Sequence, residues 1–423
     1  MTVTFTKSNP LQTATRYPAE IELVLLCART RINSAIAKKI SALASQDLQW
    51  QELLNFAQRH GLLPLVYQSL SKICPDSVPT LVLNSLKGSF QQNANRNLLY
   101  TAELLKLVAL FQQKNIAAIP FKGAALAASA YNNLALRKFC DLDILVKRSQ
   151  FEEARHILES SGYQLADQFA EIDTKPYVKY DIFNESEKNQ KDYTYINFKT
   201  KVVIELHWSV DELGFPMGLK TADLWQNNKV ISLGGKQIPQ FAPETTLIYL
   251  CFHSSKHHWE ELRWLCDVSE LIQANPDLHW DTVRQKAQAW GCDRMVNLGL
   301  LLASNLLQVK LPDTVTQEIQ QDKEAIALAS KIETMIFSDL SLEEYSYLTR
   351  STLLLQYRER LQDKLRTFAH IAFTPTYREW EMIQLPKSLS YFYYIVRPYR
   401  LLLEYFSLVD EIEYTTPNLD KEK

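Results

Sequence analysis

The chain has 423 residues, of which 46% are hydrophobic and 22% are charged, as in an ordinary globular protein. Its formal net charge of −2 argues against bulk electrostatic capture of DNA or RNA, so nucleic acid is not an expected partner. The six cysteines are dispersed and form no CxxC pair, which excludes a zinc ribbon and predicts a reduced, cytoplasmic chain with buried thiols. This length exceeds that of a usual single hydrophobic core, and we expect two or three subdomains.

The first region, residues 1–114, is predicted to be helical. Apolar residues recur at three- and four-residue spacing over 47–57 and again over 81–113, which predicts a short helix and a long one. The first twenty residues are polar and contain no signal pattern. No apolar run is long enough to cross a bilayer, so we expect a soluble protein without a membrane span.

The second region, residues 115–242, is predicted to form a compact α/β block. Residues 116–120 predict a buried strand, and Lys122-Gly123 then begins an alanine-rich helix. Residues 140–146 predict a strand that enters a core, and Ser149 with Glu152 fits a capping box for the next helix. The alternating stretches 193–199 and 202–208 predict two more strands, and 231–238 predicts a small hairpin.

From Pro243, a plausible first-turn proline, helical patterns continue to about residue 408, and the tail from 415 is polar. The third region is therefore 243–423. The aromatic run 391–394 has a periodicity that favours burial in this helical region over a membrane or partner surface. The predicted fold class is α+β and predominantly helical, with a small mixed sheet between N- and C-terminal helical regions.

Three carboxylates in the α/β block predict a metal site. Asp141 and Asp143 alternate along one strand and so project from the same face. Two carboxylates held that close repel unless a cation lies between them, and hard oxygen ligands favour Mg²⁺ or Mn²⁺. Glu205 lies in a second strand among apolar neighbours, where an unpartnered ionised carboxylate is costly. A lysine that fills the gap between the carboxylates with a salt bridge, or a Glu205 side chain that points away from Asp141 and Asp143, would rule out the enzymatic interpretation.

Basic residues near the carboxylates predict contacts to a nucleotide. Lys122 and Gly123, at a helix N-terminus, offer an ammonium group and backbone N–H groups to phosphate oxygens. Arg137 adds a second cation. His207 shares the strand face of Glu205, where it is either a contact to the nucleotide or metal site or a satisfied core histidine.

A helix in the third region carries further candidates. Lys256 and His257 either face the cleft and touch phosphate or base, or lie on a solvated helix face. His253 and His257 have zinc-binding spacing, but Ser254 stands where zinc peptidases have Glu, which disfavours a zinc hydrolase. Asp267 is predicted to pair with Lys256 or Arg263.

These residues resemble the bacterial family of uncharacterised nucleotidyltransferases within the DNA polymerase β superfamily. The similarity is carried by residues 121–131, 137, 141–146 and 204–208, and it continues through 253–267 to 385–400. It implies a polymerase-β-like nucleotidyltransferase core in which Asp141, Asp143 and Glu205 ligate two divalent metal ions. It also implies that Lys122 and Gly123 contact the phosphates of an NTP, with ATP as the expected nucleotide.

The implied reaction moves NMP from the NTP to a hydroxyl acceptor and releases pyrophosphate. The near-neutral charge favours a small molecule or a protein side chain as acceptor over a long nucleic acid. One departure from the superfamily pattern is Ala124, which replaces the serine that follows the glycine and removes a hydroxyl ligand for phosphate. This departure motivates the alternative of a non-catalytic nucleotide-binding or protein-interaction module on the same fold.

Overall fold

The computed structural model describes residues 17–166, 191–211, 214–338 and 340–415. The described chain is mostly helical, as predicted, and begins with four helices followed by one very long helix. Their bounds are α1 Ala19–Cys27, α2 Ser34–Ala44, α3 Trp50–Arg59, α4 Leu63–Ile73 and α5 Thr80–Gln113. The long helix predicted over 81–113 is confirmed.

The middle of the chain forms the predicted small mixed sheet with two helices. The strands are β1 Ala118–Pro120, β2 Leu142–Val146, β3 Gln164–Leu165, β4 Asp192–Ile196 and β5 Val203–His207, and the helices are α6 Gly123–Ser129 and α7 Phe151–Ser160. The strand order is β1-β2-β5-β4-β3, and β2 and β5 are parallel while the other neighbours are antiparallel. The predicted hairpin is confirmed as β6 Lys229–Leu233 and β7 Lys236–Gln240.

Two details of this region differ from the prediction. The capping box is wrong, because α7 begins at Phe151 with Gln150 at the cap position and no side chain caps it. The strand predicted over 140–146 begins only at Leu142, so Asp141 precedes it. Residues 167–190, which belong to the predicted α/β block, lie outside the described residues.

The helices after the hairpin run almost without interruption, as predicted. They are α8 Pro243–Lys256, α9 Leu262–Ala274, α10 Trp280–Trp290, α11 Asp293–Leu307, α12 Asp313–Ile319, α13 Lys323–Ile336, α14 Tyr347–Gln356, α15 Leu361–Phe373, α16 Tyr377–Met382 and α17 Tyr393–Thr415. Pro243 occupies the first turn of α8, where its missing N–H costs nothing. None of the helices within the described segments is both long and apolar enough to traverse a bilayer.

The prediction that residues 391–394 are buried is wrong for most of the run. Tyr393 is buried and its hydroxyl group donates to the carbonyl of Ile383, but Tyr391 and Tyr394 are more than half exposed. Four consecutive aromatic residues point in different directions around a helical segment, so they cannot all face one core.

Two hydrophobic clusters lie on opposite faces of the sheet. Leu142, Ile144 and Val146 of β2 pack with residues of α5 and α7. Leu145, on the other face, belongs to a larger cluster that joins α1–α4 to α8–α11. The second face of β2 and β5 therefore looks toward the helices that follow the sheet, and that face carries the candidate site.

Candidate active site

The two carboxylate-bearing strands are direct neighbours in the sheet. Asp143 in β2 and Glu205 in β5 are paired in the parallel register, so their side chains leave the same face side by side. Asp141 lies just before β2 and is partly exposed, whereas the Asp143 carboxylate is fully buried. All three acidic residues line one cleft of about 420 Å³.

The structure brings all nine candidate residues named from the sequence to this cleft. Its lining includes Lys122, Gly123, Arg137, Asp141, Asp143, Glu205, His207, Lys256 and His257. The roles assigned to these residues stay predictions, since a shared cleft shows proximity and not chemistry.

His207 lies buried among three carboxylates. Its Nε2 atom is 3.4 Å from Asp143 Oδ1 and 3.3 Å from Glu205 Oε2, and its Nδ1 atom is 3.1 Å from Asp192 Oδ2. Burial by itself lowers the pKa of His207, but the close contacts with these negatively charged carboxylates outweigh burial and raise the pKa to about 10. His207 is therefore an imidazolium at neutral pH, and both of its nitrogen atoms are donors.

Lys122 forms an ion pair with the most deeply buried carboxylate. Its Nζ atom lies 2.8 Å from Asp143 Oδ1 and also lies 5.8 Å from the ring centre of Tyr249 in α8. Burial raises the pKa of Asp143, but the neighbouring Lys122 and His207 outweigh it and hold the pKa well below its usual range. The lysine salt bridge that would argue against an enzyme is thus present at one carboxylate, Asp143. Glu205 nevertheless lies beside Asp143 in the sheet.

Asp141 has a different electrostatic environment from Asp143. Burial and the nearby negative charge of Asp143 raise the pKa of Asp141 to about 6. Two carboxylates with pKa values displaced in opposite directions are typical of a functional site, although ion-pair networks produce the same effect.

Gly123 is required by the backbone at the start of α6. Its φ is +49°, in the left-handed region that favours glycine, and an added Cβ atom would lie 3.2 Å from the carbonyl oxygen of Asp141. The Lys-Gly turn therefore packs directly against the chain that carries the first carboxylate.

Arg137 is held by an acidic residue of α9. Its Nε and Nη2 atoms each lie 2.8 Å from a carboxylate oxygen of Asp267, and the Tyr131 hydroxyl group donates to the same carboxylate at 2.6 Å. The predicted pairing of Asp267 with Lys256 or Arg263 is wrong, because Asp267 accepts these hydrogen bonds while Arg263 pairs with Glu261. A contact of Arg137 with phosphate stays a prediction.

Residues 46–308 match the model of a protein family described as uncharacterised nucleotidyltransferase. The chain belongs to this family. The matched residues include every described strand and helices α8 and α9, so they contain the whole lining of the cleft. Membership of the family supports a general role in nucleotidyl transfer. No curated protein and no solved structure matches the chain.

Helices α8 and α9 add a wall of aromatic and imidazole rings to the cleft. The ring centres of His253 and His257 are 4.7 Å apart, and both rings contact Trp264 at 5.7 and 5.4 Å. Burial holds the pKa of His253 well below its usual range, so its imidazole is neutral. Among the described residues this histidine pair belongs to no group of three candidate metal ligands, which leaves the zinc hydrolase without support.

Sequence reasoning missed several residues of the cleft. Asp192 begins β4 and lies opposite His207 in the antiparallel register, and Lys191, Tyr249 and Arg263 also line the space. In the sequence, Asp192 is visible only as a polar residue directly before the alternating stretch 193–199. Its significance depends on which residue of β5 lies beside it, and that pairing is not visible in the sequence.

The donor set of the site fits a divalent cation in part. Asp143, Glu205 and His207 each offer one ligand atom, and these atoms lie within 4.8 Å of one another. Two carboxylates suit Mg²⁺ or Mn²⁺. His207 is a donor while it is protonated, so carboxylate oxygens are the better ligands here. The Glu205 side chain is 33% exposed, which leaves its carboxylate accessible from solvent.

Proposed function

We propose that the protein is a metal-dependent nucleotidyltransferase that moves NMP from an NTP to a hydroxyl acceptor. The supporting observation is the parallel pairing of Asp143 with Glu205 in a cleft that also holds Asp141 and the Lys122 ammonium group. Family membership supports nucleotidyl transfer, and the carboxylates supply the negative charge that divalent cations need. Cytoplasmic location is part of the proposal, since all six cysteines are unpaired.

In the proposed reaction the acceptor oxygen attacks the α-phosphorus and the bond to the bridging β-phosphate oxygen breaks. The acceptor proton passes to a carboxylate of the cleft, and pyrophosphate leaves. Asp141, Asp143 and Glu205 would hold two divalent cations, Mg²⁺ or Mn²⁺. When bound, these cations would neutralise phosphate charge and lower the pKa of the attacking hydroxyl group.

The remaining residues of the cleft have roles in binding and orientation. When the nucleotide enters, the Lys122 ammonium group leaves Asp143 and binds phosphate oxygens. One charge-assisted contact thereby replaces another. His207 fixes the carboxylates of β2 and β5 relative to each other through Nε2, and Nδ1 holds the ring to Asp192 of β4. Lys256 and His257, at the C-terminal end of α8, contact the phosphate or the base of the bound nucleotide in this proposal. ATP is the proposed donor, and a small molecule or a protein side chain is the proposed acceptor.

The decisive experiment incubates the protein with each α-labelled NTP and a cell extract, with Mg²⁺ or with EDTA. We expect label transfer to an acceptor with Mg²⁺ and none with EDTA. Asp141→Asn should abolish transfer without unfolding the protein, since Asp141 is only partly buried at the edge of a strand. The matched control is Asp76→Asn, an exposed aspartate outside the cleft. Unchanged transfer by Asp141→Asn would overturn the proposal.

The second candidate is a non-catalytic nucleotide-binding or protein-interaction module. The ion pair of Lys122 with Asp143 and the absence of a serine at position 124 favour it. Calorimetric titration with NTP separates the two functions. Binding that ignores Mg²⁺, with no pyrophosphate released in any extract, supports the module, whereas metal-dependent binding with pyrophosphate release supports the enzyme.

A further inference from the structure

A second cleft lies away from the carboxylates, at the ends of several helices. It has a volume of about 560 Å³, larger than the 420 Å³ of the carboxylate cleft, and the two share no lining residue. Its walls come from the loop between α1 and α2, the C-terminal ends of α9 and α11, and the start of α10. A cleft of this size accommodates a small-molecule ligand.

The most informative residue in this cleft is Arg29. Only 6% of it is exposed, its Nε atom is buried without a hydrogen-bond partner, and its Nη2 atom donates to the carbonyl of Leu25 at 3.2 Å. No carboxylate of the described chain lies within salt-bridge distance of Arg29. Glu270, whose charge acts on Arg29, already accepts from the Thr30 backbone N–H at 2.8 Å, and its Oε2 atom lies 3.6 Å from Nη1 of Arg31.

A buried guanidinium group without a counter-charge is costly, and burial lowers the pKa of Arg29 accordingly. An anion that enters the cleft would supply the missing acceptor. Two more cations, Arg31 and Lys310, line the same cleft as Arg29, and both are exposed at its rim. The described lining of the cleft contains three cations and no carboxylate, and Glu270 lies beside Arg31 just outside it. Counting Glu270 against the three cations leaves a surplus of two positive charges, which matches a dianion.

Apolar and aromatic surface completes the cleft. The half-buried ring of Trp280 forms one wall, and Ile36 and Ile272 lie beside it.

The three cations lie outside residues 46–308, so the family match does not include them. They come from chain segments on both sides of the matched region, and the fold brings them together.

We propose that this cleft is a second ligand site, and that it binds a phosphate monoester attached to a planar ring, as in a nucleoside monophosphate. The phosphate lies between the guanidinium groups of Arg29 and Arg31 with Lys310 beside it, because a guanidinium fork matches phosphate oxygens. The ring packs against Trp280. The site does not depend on the proposed reaction and would exist equally in a non-catalytic protein.

The test is calorimetric titration of the whole protein with AMP at low ionic strength in EDTA, which removes any contribution from divalent cations. We expect saturable binding that weakens about tenfold in Arg31→Gln and in Lys310→Gln, since each loses one charge-assisted contact. Both residues are exposed, so these variants should fold. Lys39→Gln, an exposed residue of α2 outside the cleft, is the matched control and should bind as the unmodified protein does.

Two comparisons make the outcome decisive. Lys256→Gln separates the two clefts, because it would weaken AMP held in the carboxylate cleft but not AMP held beside Arg29 and Arg31. Inorganic phosphate should bind more weakly than AMP, since it lacks a ring to contact Trp280. The proposal is overturned if AMP does not bind, if Arg31→Gln binds as tightly as Lys39→Gln, or if only Lys256→Gln loses binding. Equal affinity for phosphate and AMP would overturn the ring contact.

Discussion

Gly123 is the residue at which backbone conformation and the candidate site meet most directly. Gly123→Ala places a side chain on a left-handed residue and brings its Cβ atom to 3.2 Å from the Asp141 carbonyl oxygen. We expect the free energy of unfolding to fall by about 1 to 3 kcal/mol, because such strained conformations cost about that much for a residue with a side chain. Chemical denaturation measures the change.

The control for this prediction is another glycine of the same protein. Gly88 lies inside α5, and an added Cβ atom there would meet no atom within 4 Å. Gly88→Ala should raise the free energy of unfolding by about 0.5 to 1 kcal/mol, since alanine is the better helix former. If both substitutions shift stability in the same direction, the conformation assigned to Gly123 is wrong.

At the scale of secondary structure elements, the contact between α9 and the segment after α6 depends on one buried cluster. Asp267 accepts two hydrogen bonds from Arg137 and one from Tyr131. Asp267→Asn removes the carboxylate charge that forms the ion pair with the buried Arg137 guanidinium group. We expect the free energy of unfolding to fall by about 3 to 5 kcal/mol, as when one partner of a buried pair is removed.

A surface ion pair gives the matched control for that experiment. Arg155 and Glu152 of α7 lie 2.8 Å apart, but their side chains are 39% and 67% exposed. Glu152→Gln should change the free energy of unfolding by less than about 1 kcal/mol, because solvent screens the pair. Equal losses from Asp267→Asn and Glu152→Gln in denaturant titrations would show that the Arg137 cluster does not join the elements as described.

At the scale of the whole molecule, the contact between N- and C-terminal helices includes a neutral histidine. His60, just after α3, is buried, and its Nδ1 atom accepts the backbone N–H of Leu262 at the start of α9 at 3.3 Å. Burial lowers the pKa of His60 to about 3, and burial lowers the pKa of His258 to about 4. Both histidines therefore resist protonation in the folded protein.

These pKa shifts set the sign of the pH dependence. An unfolded histidine has a pKa of about 6.5, so below that pH the unfolded state binds more protons and stability falls. Each histidine contributes a loss of up to about 1.4 kcal/mol per pH unit, which continues until the pH reaches its folded pKa. His60→Gln should flatten the fall in unfolding free energy between pH 7 and 5 in denaturant titrations, since glutamine takes up no proton.

His156→Gln is the control for the pH series, because 69% of the His156 side chain is exposed. Its pH profile should coincide with that of the unmodified protein. If the free energy of unfolding of His60→Gln falls with pH as steeply as that of the unmodified protein, His60 takes up its proton in the folded state, and the buried neutral histidine described here is wrong.

The sequence by itself determined the local elements and the residue types that mark the candidate site. The long helix α5, the hairpin of β6 and β7 and the first-turn Pro243 all follow from short-range periodicity and turn chemistry, which act between residues close in the chain. The Lys-Gly turn and the acidic residues at positions 141, 143 and 205 were visible for the same reason.

Only the tertiary structure decided which of these residues are neighbours. Strand register places Asp143 beside Glu205 and Asp192 beside His207, and helix packing gives Arg137 its partner in α9. The second cleft joins segments more than 250 residues apart in the chain, from Arg29 to Lys310. Such pairings depend on the burial of whole faces of helices and sheets, a long-range property that no local pattern in the chain contains.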